Sequence, residues 1–290
     1  MNWFVLSLMT ALSVSSQDAW VKKYFSDLSP YEMILYPMIY SFPMFLLVTL
    51  LIPVPENLGS SFFIYFIVGI PLNAVAFIMH MKAIKISPLS LTVPYLAFTP
   101  AFIILTGYIF LDEMPNKWGV FGIVTTCAGG YVLNLDPGKW SFLSPLKAVF
   151  KETGSWLMLI VSFLYSFGAA IGKKAILLSS PLFFTMSFFA ALNLCLFIFL
   201  LGSGKIQWKT FTKEPVKGFI AGCLLFLHAF FHGFAVSLTK AAYMISVKRL
   251  SVVFGIIYGG MLFKEENIVM RFCGALFMLA GAVLITLKGK

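Results

Sequence analysis

Residues 241–266 read "AAYMISVKRLSVVFGIIYGGMLFKEE", an apolar run that is long enough to cross a lipid bilayer. Lys248 and Arg249 stand side by side inside it. If the helix starts near Lys240, Lys248 lies about 12 Å from its start, at about 1.5 Å per residue. That depth is close to the middle of a hydrocarbon core about 30 Å thick. A cation there costs about 2.5–3.5 kcal/mol on insertion scales, so an acidic partner, water or an anionic ligand must offset it.

The composition of the whole chain also indicates a membrane protein. Its 290 residues are 60% hydrophobic and 11% charged, whereas about one quarter of the residues in a soluble domain are charged. The net charge of +10 does not indicate a nucleic-acid partner, because most lysines fall in short gaps between apolar runs and no basic stripe is present. The four cysteines lie within apolar runs without metal-like spacing, so we expect neither a metal nor another cofactor.

Apolar runs of about 20 residues predict ten membrane helices, and therefore an all-α integral membrane fold. We expect a multi-pass protein of the cell (inner or plasma) membrane, with the bilayer as its main partner. The expected spans are 2–21, 31–52, 61–82, 88–111, 117–135, 154–174, 182–201, 216–238, 240–263 and 268–287.

The chain repeats itself at an offset of 152 residues, which needs no gap. Matches between charged or imidazole side chains are a stronger signal than matches between apolar ones. The matched pairs include Lys22 with Lys174, His80 with His232, Glu113 with Glu265 and Gly129 with Gly281. We therefore predict a first repeat at 1–135, a connecting loop at 136–153 and a second repeat at 154–287.

Each repeat holds five expected spans, and five is an odd number, so the two repeats must cross the membrane in opposite directions. Two inverted five-helix repeats are the architecture of many secondary transporters, whose substrate site lies near the midplane between the repeats.

Two matched stretches carry a family resemblance. They are "AIKISPLSLTVPYLAFTPAFIILTGYIFLDEMPNKWGVFGIVTTCAGGYVL" and "AVSLTKAAYMISVKRLSVVFGIIYGGMLFKEENIVMRFCGALFMLAGAVLI". In each, a long span ends with Gly, five residues and Glu before a Gly-containing span. The chain resembles EamA-type members of the drug/metabolite transporter superfamily. The resemblance implies a ten-helix carrier that works by alternating access, and it leaves the substrate open.

Four charges are the first candidates for binding substrate: Lys248, Arg249, Asp18 and Lys22. Asp18 precedes Lys22 by four residues and so shares its helix face. If all four face one cavity, it carries an excess charge near +2 and attracts anions. The "VKRLSVVF" pair is also similar to the Lys-Arg pair that holds phosphate in sugar-phosphate and nucleotide-sugar carriers of the superfamily. The alternatives are that one cation pairs internally with Asp18, or that the helix boundary is misplaced.

Other polar residues within the spans are further candidates. His228 and His232 lie one helical turn apart, and with His80 they could join helices by hydrogen bonds, bind substrate, carry protons or hold a metal. Tyr95 could add a hydroxyl to the cavity. Glu113 and Glu265 could hold the tight turns after their spans or form an ion-pair gate. Pro94 and Pro100 could curve the fourth span or let it bend during gating.

The function that fits these features is a carrier for a small anionic or zwitterionic metabolite, with a counter-ion or exchange substrate as a further partner. The alternative is a proton-coupled exporter of amphipathic or cationic drugs or amino acids. Enzyme motifs are missing, so we do not expect an enzyme. The orientation of the termini stays open, because the distribution of lysines favours termini outside whereas the family resemblance implies termini inside. The oligomeric state stays open as well.

Overall fold

The computed structural model describes residues 2–133, 152–264 and 268–289, and the part of the chain that it describes contains helices and no strands. The connecting loop expected at 136–153 lies almost entirely outside it, as does Glu265. The helices are α1 (Asn2–Phe25), α2 (Pro30–Leu51), α3 (Ser60–Ile86), α4 (Leu89–Thr92), α5 (Thr99–Leu111), α6 (Lys117–Val132), α7 (Thr153–Leu177), α8 (Pro181–Gly202), α9 (Pro215–Ser237), α10 (Ala241–Lys248), α11 (Ser251–Phe263) and α12 (Ile268–Lys288). Short 3-10 segments lie at Val93–Phe98 and Trp208–Thr212.

Local sequence explains several of these boundaries. Ser29 starts α2 by accepting a hydrogen bond from the Glu32 amide at 3.2 Å, and the Glu32 carboxylate accepts one from the Ser29 amide at 3.1 Å. This reciprocal pair is a capping box. Helix α3 runs four residues past its predicted end at 82 and stops before Ser87 and Pro88, because a residue that precedes proline disfavours helical geometry.

Seven helical stretches are long and apolar enough to cross a membrane, counted within the described ranges. They are Pro30–Leu51, Ser60–Ile86, Val93–Leu111, Thr153–Leu177, Pro181–Gly202, Pro215–Ser237 and Ala241–Phe263. Three other expected spans fall short for different reasons: α1 carries many polar side chains, α6 has 16 residues, and α12 has its first side chains outside the description. Leucines and methionines on the outer faces are widely exposed, such as Leu51 at 74% and Met261 at 76%, as expected for surfaces that contact lipid.

Two long stretches are broken near their middle. Between α4 and α5 the chain narrows to the 3-10 segment that contains Pro94, and Pro100 sits in the first turn of α5. Between α10 and α11 the break falls at Arg249 and Leu250, where successive backbone bonds close three-residue turns. Helices α5 and α11 start at Thr99 and Ser251, 152 residues apart.

The two halves of the chain pack through each other. Helix α1 lies against α9 and α11, and α7 lies against α3 and α5. Helices α6 and α12 pack closely, because Gly129 and Gly274 face each other: a Cβ on either would come 2.6 Å from the carbonyl oxygen of the other. The polar cavity lies between α1, α3, α7, α8, α9 and the α10–α11 break.

Candidate substrate cavity

The cavity has a volume of about 110 Å³, which is room for several water molecules. Six of the residues predicted from the sequence to bind substrate line it: Asp18, His80, His228, His232, Lys248 and Arg249. They come from α1, α3, α9 and the α10–α11 break, so the fold brings together groups that are far apart in the sequence.

Lys248 is the last residue of α10, and two histidines of α9 surround its ammonium group. Its Nζ lies 2.9 Å from His228 Nε2 and 3.4 Å from His232 Nδ1. A charged lysine can only donate, so both of these ring nitrogens must be acceptors and the proton of His228 must sit on Nδ1. That Nδ1 is buried and has no hydrogen-bond partner within the described residues.

Arg249 caps the C-terminal end of α10, where the partial negative charge of the backbone carbonyls favours a cation. It is only 3% exposed. Its Nε is buried without a hydrogen-bond partner among the residues that the structure describes. Because a guanidinium stays charged in proteins, Arg249 presents a permanent cation with an unused donor to the cavity.

Asp18 contacts a histidine rather than a lysine. Its Oδ2 lies 3.2 Å from His80 Nε2, and His80 Nδ1 lies 3.1 Å from the hydroxyl of Tyr165. The chain of contacts joins α1, α3 and α7 across the two halves. Sequence reasoning missed Tyr165, because an isolated tyrosine in an apolar run gives no signal of its partners.

Lys22 and Tyr95 lie apart from the residues that line the cavity. The Lys22 ammonium donates to the backbone carbonyl of Ser87 at 2.6 Å and lies 5.6 Å from the ring centre of Phe263. Tyr95 is buried in the 3-10 segment, where its ring stacks on Phe98.

The cavity consequently carries less charge than the sequence suggested. Lys248 and Arg249 contribute two positive charges and Asp18 one negative charge. Lys173 also lines the cavity, but its ammonium forms an ion pair with Glu113. With neutral histidines the excess is therefore +1, not the value near +2 that including Lys22 would give.

Glu113 ties three elements together beside the cavity. One carboxylate oxygen pairs with Lys173 of α7, and the other accepts a hydrogen bond from the Ala241 amide at the start of α10, at 2.8 Å. The Lys173 ammonium also donates to the carbonyl of Thr239. We call Glu113, Lys173 and the Thr239–Ala241 backbone the clamp.

The remainder of the cavity is aromatic. Phe77 lies edge-on to Tyr165, with ring centres 5.9 Å apart, and stacks on Phe189 at 6.4 Å. Phe184 and Phe188 stack on each other at 5.1 Å. These four phenylalanines line the cavity and form what we call the phenyl wall. In a chain with 32 phenylalanines, sequence gave no means to select them.

The histidines do not gather into a metal site in the described ranges, where no group of three His, Cys, Asp or Glu side chains is placed to hold an ion. The contacts of all three histidines are instead with Lys248, Asp18 and Tyr165.

Comparison with known proteins agrees with the sequence resemblance. The model of the EamA-like transporter family matches residues 1–135, and this family belongs to the drug/metabolite transporter superfamily. A solved structure described as "Crystal structure of protein" aligns over 97% of this chain and 97% of that chain, with a TM-score of 0.63 and 12% sequence identity, and so shares the fold. The chain has no significant match among curated proteins. The resemblance to EamA-type proteins is confirmed, and the molecule is a multi-pass membrane transporter of the drug/metabolite type.

Proposed function

We propose that this EamA-like transporter of the cell membrane is an alternating-access carrier for a small anionic or zwitterionic metabolite. The observation that carries the proposal is the buried cavity with an excess charge of +1, in which Arg249 presents an unpartnered donor. A buried charge is costly unless it is paired, so a ligand that pairs with Arg249 is favoured there. No enzymatic step, cofactor or nucleic acid has a part in this proposal.

We further propose that the carrier consists of ten membrane helices in two inverted five-helix repeats, 1–135 and 154–287. The positions of the helix ends support this arrangement. Asp112 and Lys264 lie 152 residues apart, follow the equivalent helices α5 and α11, and both have left-handed backbones, with φ of 53° and 52°. Lys22 and Lys173 donate to the carbonyls of Ser87 and Thr239, which are also 152 residues apart.

The clamp is the proposed gate at one end of the cavity. It joins the turn after α5 to α7 and to the start of α10, so α10 cannot move away from α7 while the ion pair holds. The contact of Lys22 with Ser87 has the equivalent place in the other repeat. Alternating access would then open one of these contacts while the other stays closed, and the breaks beside Pro94, Pro100 and Arg249 would let the helices bend.

Exchange is the expected mode of transport. An empty cavity with an excess positive charge resists crossing the low-dielectric middle of the protein, and a bound anion or counter-ion removes that cost. We therefore expect slow net uptake into empty vesicles and fast counterflow into preloaded ones.

The test uses purified protein in sealed vesicles with radiolabelled phenylpyruvate, glutamate and glucose 6-phosphate, each tested with and without the same unlabelled compound inside. At least one should show counterflow several times faster than net uptake. Arg249→Gln should abolish it, whereas Lys213→Gln, which removes an exposed loop charge, should not. Equal rates in empty and preloaded vesicles would reject exchange, and equal effects of the two variants would reject the role of Arg249.

A proton-coupled exporter of amphipathic cations or amino acids is the second candidate, because the phenyl wall and the Asp18–His80 pair suit such a substrate. The central cations oppose it, since they repel a cationic ligand. Tetraphenylphosphonium is a suitable probe: export driven by a proton gradient and lost in Asp18→Asn would favour this candidate over the anion carrier.

A further inference from the structure

We infer that the ligand is a hydrophobic monoanion, a carboxylate with an apolar or aromatic body, and not a sugar phosphate or an amino acid. The inference rests on the proposed carrier function and narrows its substrate class. Three features of the cavity support it: two unpartnered buried donors, the excess charge and the phenyl wall.

The unpartnered donors are Arg249 Nε and His228 Nδ1. The residues are 3% and 9% exposed, so bulk water does not readily satisfy these atoms. Lys248 places the His228 proton on Nδ1 by occupying Nε2 at 2.9 Å. Both unused groups are therefore donors, and the ligand group that complements them is an acceptor with negative charge. A carboxylate has two such oxygens.

The charge balance selects a ligand with one negative charge. With Lys248 and Arg249 against Asp18, and Lys173 paired with Glu113, the cavity has an excess of +1. A monoanion brings it to zero. A phosphate ester with two negative charges would leave an excess of −1, and a zwitterion would leave the +1 unchanged, and an uncompensated buried charge is costly in either case.

The body of the ligand must suit the phenyl wall. Ring contacts lead from His80 through Tyr165 and Phe77 to Phe189, so the wall begins beside the charged groups. The amide of Asn73, a polar group in this part of the cavity, already donates to the carbonyl of Gly69 at 2.9 Å. Sugar hydroxyls would lose their water there without equivalent partners, whereas an apolar chain or ring would gain contacts.

The experiment measures dissociation constants by calorimetry on the purified full-length protein at pH 7.5. The probes are phenylpyruvate, L-phenylalanine and glucose 6-phosphate, which represent an aromatic monoanion, its zwitterionic analogue and a hydroxylated dianion. Phenylpyruvate should bind at least tenfold more tightly than either of the others. Arg249→Gln should weaken phenylpyruvate binding by about tenfold or more, as loss of a hydrogen bond to a charged group predicts.

The phenyl wall has its own test, which separates ligand contact from a folding defect. Phe77→Leu keeps an apolar side chain but removes the ring beside Tyr165. It should weaken phenylpyruvate binding several-fold and leave pyruvate binding unchanged, so the ratio of the two constants falls. A general loss of structure would weaken both equally, and an equal loss would overturn the assignment of the wall.

Tighter binding of glucose 6-phosphate or L-phenylalanine than of phenylpyruvate would overturn the inference but leave the carrier proposal standing. Failure of all three probes to bind would overturn it too. Phenylpyruvate binding without counterflow in vesicles would support the ligand class and reject the carrier, so the two failures are distinguishable.

Discussion

The two broken stretches of the molecule, Leu89–Leu111 and Ala241–Phe263, share their geometry but not their chemistry. Both break at the same place in the 152-residue register and both end at a left-handed residue. The first is broken at prolines and presents Leu96 to the cavity, whereas the second contains no proline and presents Lys248, the residue at the equivalent position. The scaffold is thus present twice, and the charge that gives the cavity its specificity is present once.

The largest effect should come from removing that asymmetry. Lys248→Met and Leu96→Met place the same side chain at equivalent positions of the two stretches. The first should reduce ligand binding by about 10- to 100-fold, because it removes a charged donor that also orients His228. The second should change it by less than about threefold, as a volume-conserving apolar exchange does. Similar losses in the two variants would show that the halves contribute equally.

The clamp should affect transport more than binding. Glu113→Gln removes the charge that pairs with Lys173 and weakens the cap on α10. We expect counterflow to fall by about tenfold while the ligand dissociation constant changes little, because Glu113 does not line the cavity. A combined Glu113→Gln and Lys173→Met variant should be no slower than the worse single variant. Additive losses would mean that the two residues act independently.

The glycine contact between α6 and α12 tests how far the two halves share a scaffold. Gly129→Leu and Gly274→Leu each place a side chain against the backbone of the opposite helix. Each should lower the free energy of unfolding by about 1–3 kcal/mol, the usual cost of overpacking. Thermal unfolding in detergent is the measurement, with Leu279→Ala on the exposed face of α12 as the control. A loss in one variant without the other would contradict the shared packing.

The smallest effect concerns the two left-handed residues, Asp112 and Lys264. A left-handed backbone costs a side chain with Cβ about 1–2 kcal/mol, and aspartate tolerates it better than lysine. Lys264→Gly should therefore stabilise the protein by up to about 1 kcal/mol, and Asp112→Gly by less. Thermal unfolding should rank the two, and destabilisation by Lys264→Gly would show that its side chain makes a contact worth more than the backbone strain.

The pattern of the sequence predicts more of the scaffold than of the cavity. Apolar runs located the helices to within a few residues, since span length and loop chemistry are local properties. That Asp18, His80, His228 and the Lys-Arg pair would face one cavity could be anticipated from the cost of burying charge in a membrane.

The partners of these groups could not be anticipated. The spacing of Asp18 and Lys22 shows only that they share a helix face. Which neighbour each one reaches depends on how α1 packs against α3 and α9, and in the structure Asp18 contacts His80 while the longer Lys22 reaches Ser87. The contact of Lys248 with both histidines likewise depends on where the α10–α11 break falls, and no proline marks it.

The most direct test of the account is whether the cavity is reached from each side of the membrane in turn. The variant Asn73→Cys would carry the only thiol, after replacement of Cys127, Cys195, Cys223 and Cys273 by alanine, and a membrane-impermeant maleimide would be applied to right-side-out and to inside-out vesicles. The account predicts labelling that is stronger from one side, and that shifts towards the other when Glu113→Gln opens the clamp. Labelling that is absent from both sides, or unchanged by that substitution, would contradict an alternating-access cavity between the halves.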